Sequence, residues 1–175
     1  MMNRIRSDCF SYCPLLTKLV IPPNATLIEH NAFRICHFEE VSIPSTTKIE
    51  PGPFPLSLKL RITGDIQFIP KHLFLSNCFL REITIPSSVT SIGIIAFNDC
   101  SDLQKIEFTS PTSLKILFHF TIQKMGKIEK ITIQKSVTTI ESYAFIKCKK
   151  LEQLDFESPS SLSVMEGCAF RNANQ

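Results

Sequence analysis

Apolar residues recur along this chain in one fixed motif. Leu80, Ile83, Ile85, Val89, Ile92, Ala96, Phe97 and Cys100 carry it once; Ile128, Ile131, Ile133, Val137, Ile140, Ala144, Phe145 and Cys148 carry it again at identical spacing and without a gap. The aromatic after the alanine can be followed through Phe10, Phe33, Phe54, Phe74, Phe97, Ile122, Phe145 and Phe170, at intervals of 20 to 25 residues. The two 25-residue intervals share a longer turn, Ser110-Pro111-Thr112-Ser113-Leu114 and Ser158-Pro159-Ser160-Ser161-Leu162, where a shorter repeat has Pro86-Ser87-Ser88-Val89. Self-similarity at such a period marks supersecondary units that stack because none can bury its apolar face alone.

Within one unit the apolar residues Ile83 and Ile85 are two apart, the period of a strand, among β-branched neighbours that favour one. A proline follows at Pro22, Pro44 and Pro86. It has no N–H for a ladder and so ends the strand. Val-x-x-Ile then returns the chain across the core, and Ala-Phe fills the far side, predicted as a short helical or 3₁₀ turn. Two inward rows follow from stacking: Leu19, Val41, Leu60, Ile83, Ile106, Ile131 and Leu154, then Ile21, Ile43, Ile62, Ile85, Phe108, Ile133 and Phe156. The strands should form a narrow parallel sheet with coils about 4.7–4.9 Å apart.

The motif Leu-x-x-Ile-x-Ile-Pro-x-x-Val-x-x-Ile-x-x-x-Ala-Phe-x-x-Cys resembles the BspA-like, treponemal-type leucine-rich repeats. The resemblance covers essentially the whole chain. It departs at Pro51-Gly52-Pro53-Phe54-Pro55 and at Thr121-Ile122-Gln123-Lys124-Met125. It implies a leucine-rich-repeat solenoid of the α/β repeat class: right-handed, with short parallel strands on one face and short helical or 3₁₀ turns opposite. Residues 1–175 then form a single domain of about seven coils, part of a longer array, whose end coils lack polar caps and should fray or seek partners. The resemblance also implies a non-catalytic binding or adhesion module of a surface or secreted protein, with an extracellular or host surface protein as partner. A cytoplasmic scaffold or assembly module is the alternative.

Composition narrows the function classes. Net charge is only +3, from 19 Lys and Arg against 16 Asp and Glu. That gives no basic stripe for a nucleic-acid backbone. No apolar run reaches the roughly 18 residues that a spanning helix needs, and Met1 to Pro14 lacks the apolar stretch of a secretory signal. Seven cysteines cannot all pair with one another. Cys13, Cys36, Cys100 and Cys148 share one repeat position and read as an inward row of small side chains, with Cys13 and Cys36 close enough in sequence register for a disulfide. No Cys-x₂-Cys spacing marks a metal site, and five scattered glycines make no phosphate loop. His30, His37, His72 and His119 fall at different repeat positions, without an orienting group for nucleophilic chemistry. No cofactor, metal or catalytic residue is therefore predicted.

The outward strand positions hold the remaining chemistry. One row reads Lys18, Glu40, Lys59, Glu82, Lys105, Lys130 and Gln153; the other reads Val20, Ser42, Arg61, Thr84, Glu107, Thr132 and Asp155. Alternating charge on neighbouring strands is self-compensating, yet it also offers a rigid mixed-charge face. Its centre, Lys59, Arg61, Glu82, Thr84, Lys105 and Glu107, is the predicted contact surface for a protein partner. A second patch, Ile94, Ile95, Phe118, His119, Phe120 and Tyr143, is expected to pack coil on coil, with Phe118 least accounted for.

Overall fold

The computed structural model describes residues 3–50 and 57–173. Along the chain run β1 (Arg4–Ile5), β2 (Lys18–Val20), β3 (Leu27–Ile28), β4 (Glu40–Ser42), β5 (Lys48–Ile49), β6 (Lys59–Thr63), β7 (Phe68–Ile69), β8 (Glu82–Ile85), β9 (Ser91–Ile92), β10 (Lys105–Phe108), β11 (Ile116–Leu117), β12 (Lys130–Ile133), β13 (Thr139–Ile140), β14 (Gln153–Phe156) and β15 (Val164–Met165). Every pairing is parallel. The longer strands stack as β2-β4-β6-β8-β10 and, separately, β12-β14; the shorter ones stack as β1-β3-β5 and β7-β9-β11-β13-β15. Each coil thus contributes two strands rather than the single one expected, because the Val-x-x-Ile return is itself extended at its end. Ile92 lies between Ile69 and Leu117 in one such ladder.

The interior follows the predicted rows except at Phe156, which alternation placed inward but which is 42% exposed, because β14 has a neighbouring strand on one side only. Leu60, Ile62, Ile83, Ile85, Val89, Ile92, Ala96 and Phe97 are all buried, with Ile106 and Phe108 packed at the margin. The far side is filled by the aromatic row: Phe74 stacks on Phe97 at 4.9 Å and Phe145 on Phe170 at 4.7 Å between ring centroids. Those separations equal the coil spacing, about 4.7–4.9 Å, so in these two pairs ring rests on ring; Phe10 and Phe33 are wider at 5.7 Å, and Ile122 stands between Phe97 and Phe145. Phe54 and the Pro51–Pro55 cluster lie outside the described residues.

Two further expectations are corrected. The far side carries no helical or 3₁₀ turns among the described residues; it is a run of hydrogen-bonded turns. The cause is backbone handedness. Around each described far-side Phe or Ile, the residues two before and two after adopt positive φ: Asp8 and Tyr12, Asn31 and Ile35, His72 and Ser76, Ile95 and Asp99, Phe120 and Lys124, Tyr143 and Lys147, Cys168 and Asn172, all between 54° and 63°. A left-handed residue every fourth position breaks any right-handed helix. It also turns the intervening amides toward the neighbouring coil. Phe74 N donates to Ala96 O at 2.8 Å, Phe97 N to Thr121 O at 3.0 Å and Phe145 N to Ala169 O at 2.8 Å, so the far side is a third ladder between coils.

The second correction concerns register. Val41 pairs with Ile62 and Glu40 with Arg61, whereas Leu60 pairs with Ile83 and Lys59 with Glu82. The predicted row breaks by two residues between β4 and β6. A two-residue slip keeps every side chain on its own face. Gly64 absorbs it: at φ +87° it lies against the Ile43 backbone, where a Cβ would come 2.5 Å from the Ile43 oxygen.

The left-handed turns generate a stability prediction. Lys147 is exposed and sits at φ 59°. Lys147→Asn should stabilise by about 0.5–1 kcal/mol, since Asn tolerates this region, and Lys147→Val should destabilise by about 1–2 kcal/mol. Urea unfolding of the two variants checks the order; equal midpoints would contradict the turn geometry.

Candidate functional site

The predicted contact residues all point outward from the longer strands, and the structure brings them together. Lys59 Nζ lies 2.8 Å from Glu82 Oε1, and Lys105 Nζ lies close to Glu107 Oε1 at 2.6 Å. The hydrogen bond and charge of Glu107 hold the Lys105 ammonium above its ordinary value. On β12 and β14, Lys130 reaches Asp155 at 2.7 Å. Hydrogen bonds from Lys130 and Gln153 then lower the Asp155 carboxyl below its usual range. Much of the face is thus a solvated ladder of internal ion pairs, individually weak. Arg61 differs. It faces Glu40 and Thr84 across the strands but makes no ion pair among the described residues. Lys59, Arg61, Glu82 and Thr84 line an open concavity of about 600 Å³ with Glu39 and the 53% exposed Leu58.

The shared cysteine position has a structural task that spacing did not disclose. Cys36 Sγ donates to Phe10 O at 2.8 Å, Cys100 Sγ to Phe74 O at 3.0 Å and Cys148 Sγ to Ile122 O at 3.2 Å. Each thiol binds the far-side carbonyl of the preceding coil. Desolvation by burial pushes Cys100 and Cys148 up to about 12. They remain thiols and are poor nucleophiles. Cys13 and Cys36 are free, as are all seven cysteines. Among the described residues no His, Cys, Asp and Glu side chains gather as a metal site would require.

A carboxylate row completes the coil-to-coil bonding. Glu29 Oε2 accepts Ser7 N at 3.1 Å, Glu50 Oε2 accepts His30 N at 3.1 Å, Glu141 Oε2 accepts His119 N at 3.0 Å and Glu166 Oε2 accepts Ser142 N at 3.0 Å. The four glutamates each follow a short strand directly. Sequence reading missed them, although Ile28-Glu29, Ile49-Glu50, Ile140-Glu141 and Met165-Glu166 share one repeat column. The second predicted patch divides. Phe120 stacks on Tyr143 at 5.3 Å, coil on coil, while Ile94 stays 43% exposed.

Two outcomes follow. Cys148→Ala leaves the Ile122 carbonyl without its thiol donor and should cost about 1–3 kcal/mol, while Cys148→Ser retains a donor and loses less; denaturant midpoints decide, and equal losses would contradict the bond. Backbone hydrogen bonds from Ser7 and Ser142 lower the Glu29 and Glu166 carboxyls from the ordinary 4.5. Hydrogen bonds from the Ser45 side chain and backbone lower Asp65 from 3.8. A carboxyl depressed in the folded state stabilises above its unfolded value and loses that contribution as pH falls through the folded one. The melting temperature should therefore hold from neutrality down to about pH 5 and drop below pH 4.5, less steeply in Glu29→Gln/Glu166→Gln.

The family described as BspA type leucine-rich repeat region matches residues 2–63 and 67–175 in 6 copies. No curated protein matches the chain. Among solved structures, a leucine-rich repeat protein from Bacteroides ovatus ATCC 8483 is 26% identical, over 93% of this chain and 46% of its own, with a TM-score of 0.60. The pneumococcal vaccine antigen PcpA is 23% identical over 89% of this chain and 36% of its own, with a TM-score of 0.53. A leucine-rich repeat protein from Eubacterium ventriosum ATCC 27560 is 19% identical over 99% and 41%, with a TM-score of 0.54. The chain spans less than half the length of each of these proteins.

Proposed function

This chain belongs to the BspA-type leucine-rich repeat family, and on that premise we propose that it is a non-catalytic protein-binding module that engages its partner through the outward face of the longer strands. The observation carrying this reading is Arg61: a guanidinium with no ion pair among the described residues, beside exposed Leu58, in a concavity where Lys59 and Glu82 already compensate each other. Arg is among the residue types enriched in binding hot spots. A stacked backbone also spares the cost of ordering the main chain on association. Among the described residues no helix is long and apolar enough to cross a membrane. The description of one fold relative as a vaccine antigen fits a surface or secreted location. Within this reading Lys59, Glu82, Thr84, Lys105 and Glu107 are the rim around Arg61, and the partner is a protein, with no cofactor involved.

A scaffold working in a reducing compartment is the second reading. The exposed free thiols Cys9, Cys78 and Cys168 favour it, because an oxidising compartment pairs such groups.

The immobilised chain, exposed in parallel to extracellular and cytosolic extracts at two salt concentrations, tests the proposal and separates the locations. A captured protein should be lost from Arg61→Ala by tenfold or more and retained on a Lys130→Ala control. Retention by Arg61→Ala, and by Leu58→Ala, would overturn the assignment of the face.

A further inference from the structure

The glutamate row that follows the short strands is interrupted in the middle of the molecule. After β3, β5, β13 and β15 stand Glu29, Glu50, Glu141 and Glu166, each accepting a backbone N–H from the preceding coil. After β7, β9 and β11 the same position is Pro70, Gly93 and Phe118. The amides this row would serve in the middle are Lys71 N and Ile94 N, the counterparts of His30 N and His119 N. Neither finds an acceptor among the described residues. No side chain can be supplied from position 93 as the coils stand, since a Cβ there would lie 2.7 Å from Lys71 N.

The interruption coincides with an open groove of about 520 Å³, lined by Phe68, Pro70, Ile94 and Phe118 and by the cations Lys48 and Lys71, with no acidic residue in its lining. Phe68 is 46% and Ile94 43% exposed. The groove therefore offers apolar walls, two positive charges and two backbone donors whose usual carboxylate is missing. The donors belong to adjacent coils, about 4.7–4.9 Å apart, a gap that one carboxylate spans with an oxygen toward each.

We propose that this groove binds an extended acidic segment of a partner protein, one of whose Asp or Glu carboxylates takes the place of the missing glutamate at Lys71 N and Ile94 N. Apolar side chains flanking that carboxylate pack on Phe68, Ile94 and Phe118. Lys48 and Lys71 select negative charge. A bare phosphate would leave the apolar walls wet, and an uncharged apolar peptide would leave the donors unmet. The surface is distinct from the Arg61 face, so the two proposals stand or fall separately.

The probe is a fluorescein-labelled, end-capped octapeptide of alternating valine and glutamate, titrated by anisotropy beside its valine–glutamine counterpart. The glutamate peptide should bind at least tenfold more tightly. Phe118→Glu fills the vacancy from within, as Glu141 does for His119, and should weaken the peptide tenfold or more while keeping the melting temperature. Exposed Lys71→Glu should weaken it similarly, and Arg61→Ala should leave it unchanged. Equal affinity for the two peptides, or unchanged affinity in folded Phe118→Glu and Lys71→Glu, would overturn the proposal. So would a concentration-dependent dimer that Phe118→Glu dissociates, since the occupant would then be a second copy of this chain.

Discussion

Coil-to-coil hydrogen bonding is the constraint on which this molecule depends. Stacking at the spacing of a parallel sheet leaves little room for water between coils, so each backbone amide and carbonyl on the interface must find its partner in the coil above or below. The two strands meet this in the ordinary way. At the corners, hydroxyls contribute: Thr90 Oγ1 donates to Gln67 O and Ser136 Oγ to Leu114 O. On the far side, paired left-handed residues turn the Phe amides outward, and the cysteine thiols satisfy the carbonyls between them. Aromatic stacking fits this frame because its spacing and the ladder spacing coincide.

The same constraint explains where the molecule is irregular. Coil five has Ile122 and Met125 in place of Phe and Cys, so no thiol reaches back to Phe97 O, and the longer-strand sheet is interrupted between β10 and β12. The short-strand sheet runs on through β11 and β13 at that point and carries the stack across. Strand β6 meets β4 with a two-residue slip, and Gly64 just beyond β6 lies where a Cβ would strike the Ile43 backbone. Where the glutamate row lapses, Lys71 and Ile94 line a groove and their amides find no acceptor among the described residues. Irregularity in a repeat frame thus concentrates unfilled hydrogen-bonding capacity at a few defined places.

Much of the frame was legible in the sequence because strand periodicity is carried by side chains. Ile83, Ile85 and Phe97 declare their direction by spacing alone. The far turns were not legible as non-helical, since the left-handed positions among the described residues hold side chains as unlike as those of Asn31, Ile95, Phe120 and Lys147. Their geometry is imposed by the ladder, not by local preference. The slip at β6 was hidden for a different reason: a shift of two leaves inside and outside unchanged. For the contact face, outward placement of Lys59, Arg61, Glu82, Thr84, Lys105 and Glu107 followed from alternation, but only coordinates separate Lys59, held by Glu82, from unengaged Arg61. The glutamate row was readable in one repeat column and passed over, because a column of surface carboxylates resembles solvation until its donors are seen to be backbone amides.

Residue-resolved amide hydrogen exchange tests the central claim most directly. If the far side is a true ladder, the amides of Phe74, Phe97 and Phe145 exchange as slowly as those of the strands, while Lys71 and Ile94 exchange near the unprotected rate. Rapid exchange at the three phenylalanines, as in an ordinary surface loop, would contradict a structure held together by bonds between its coils.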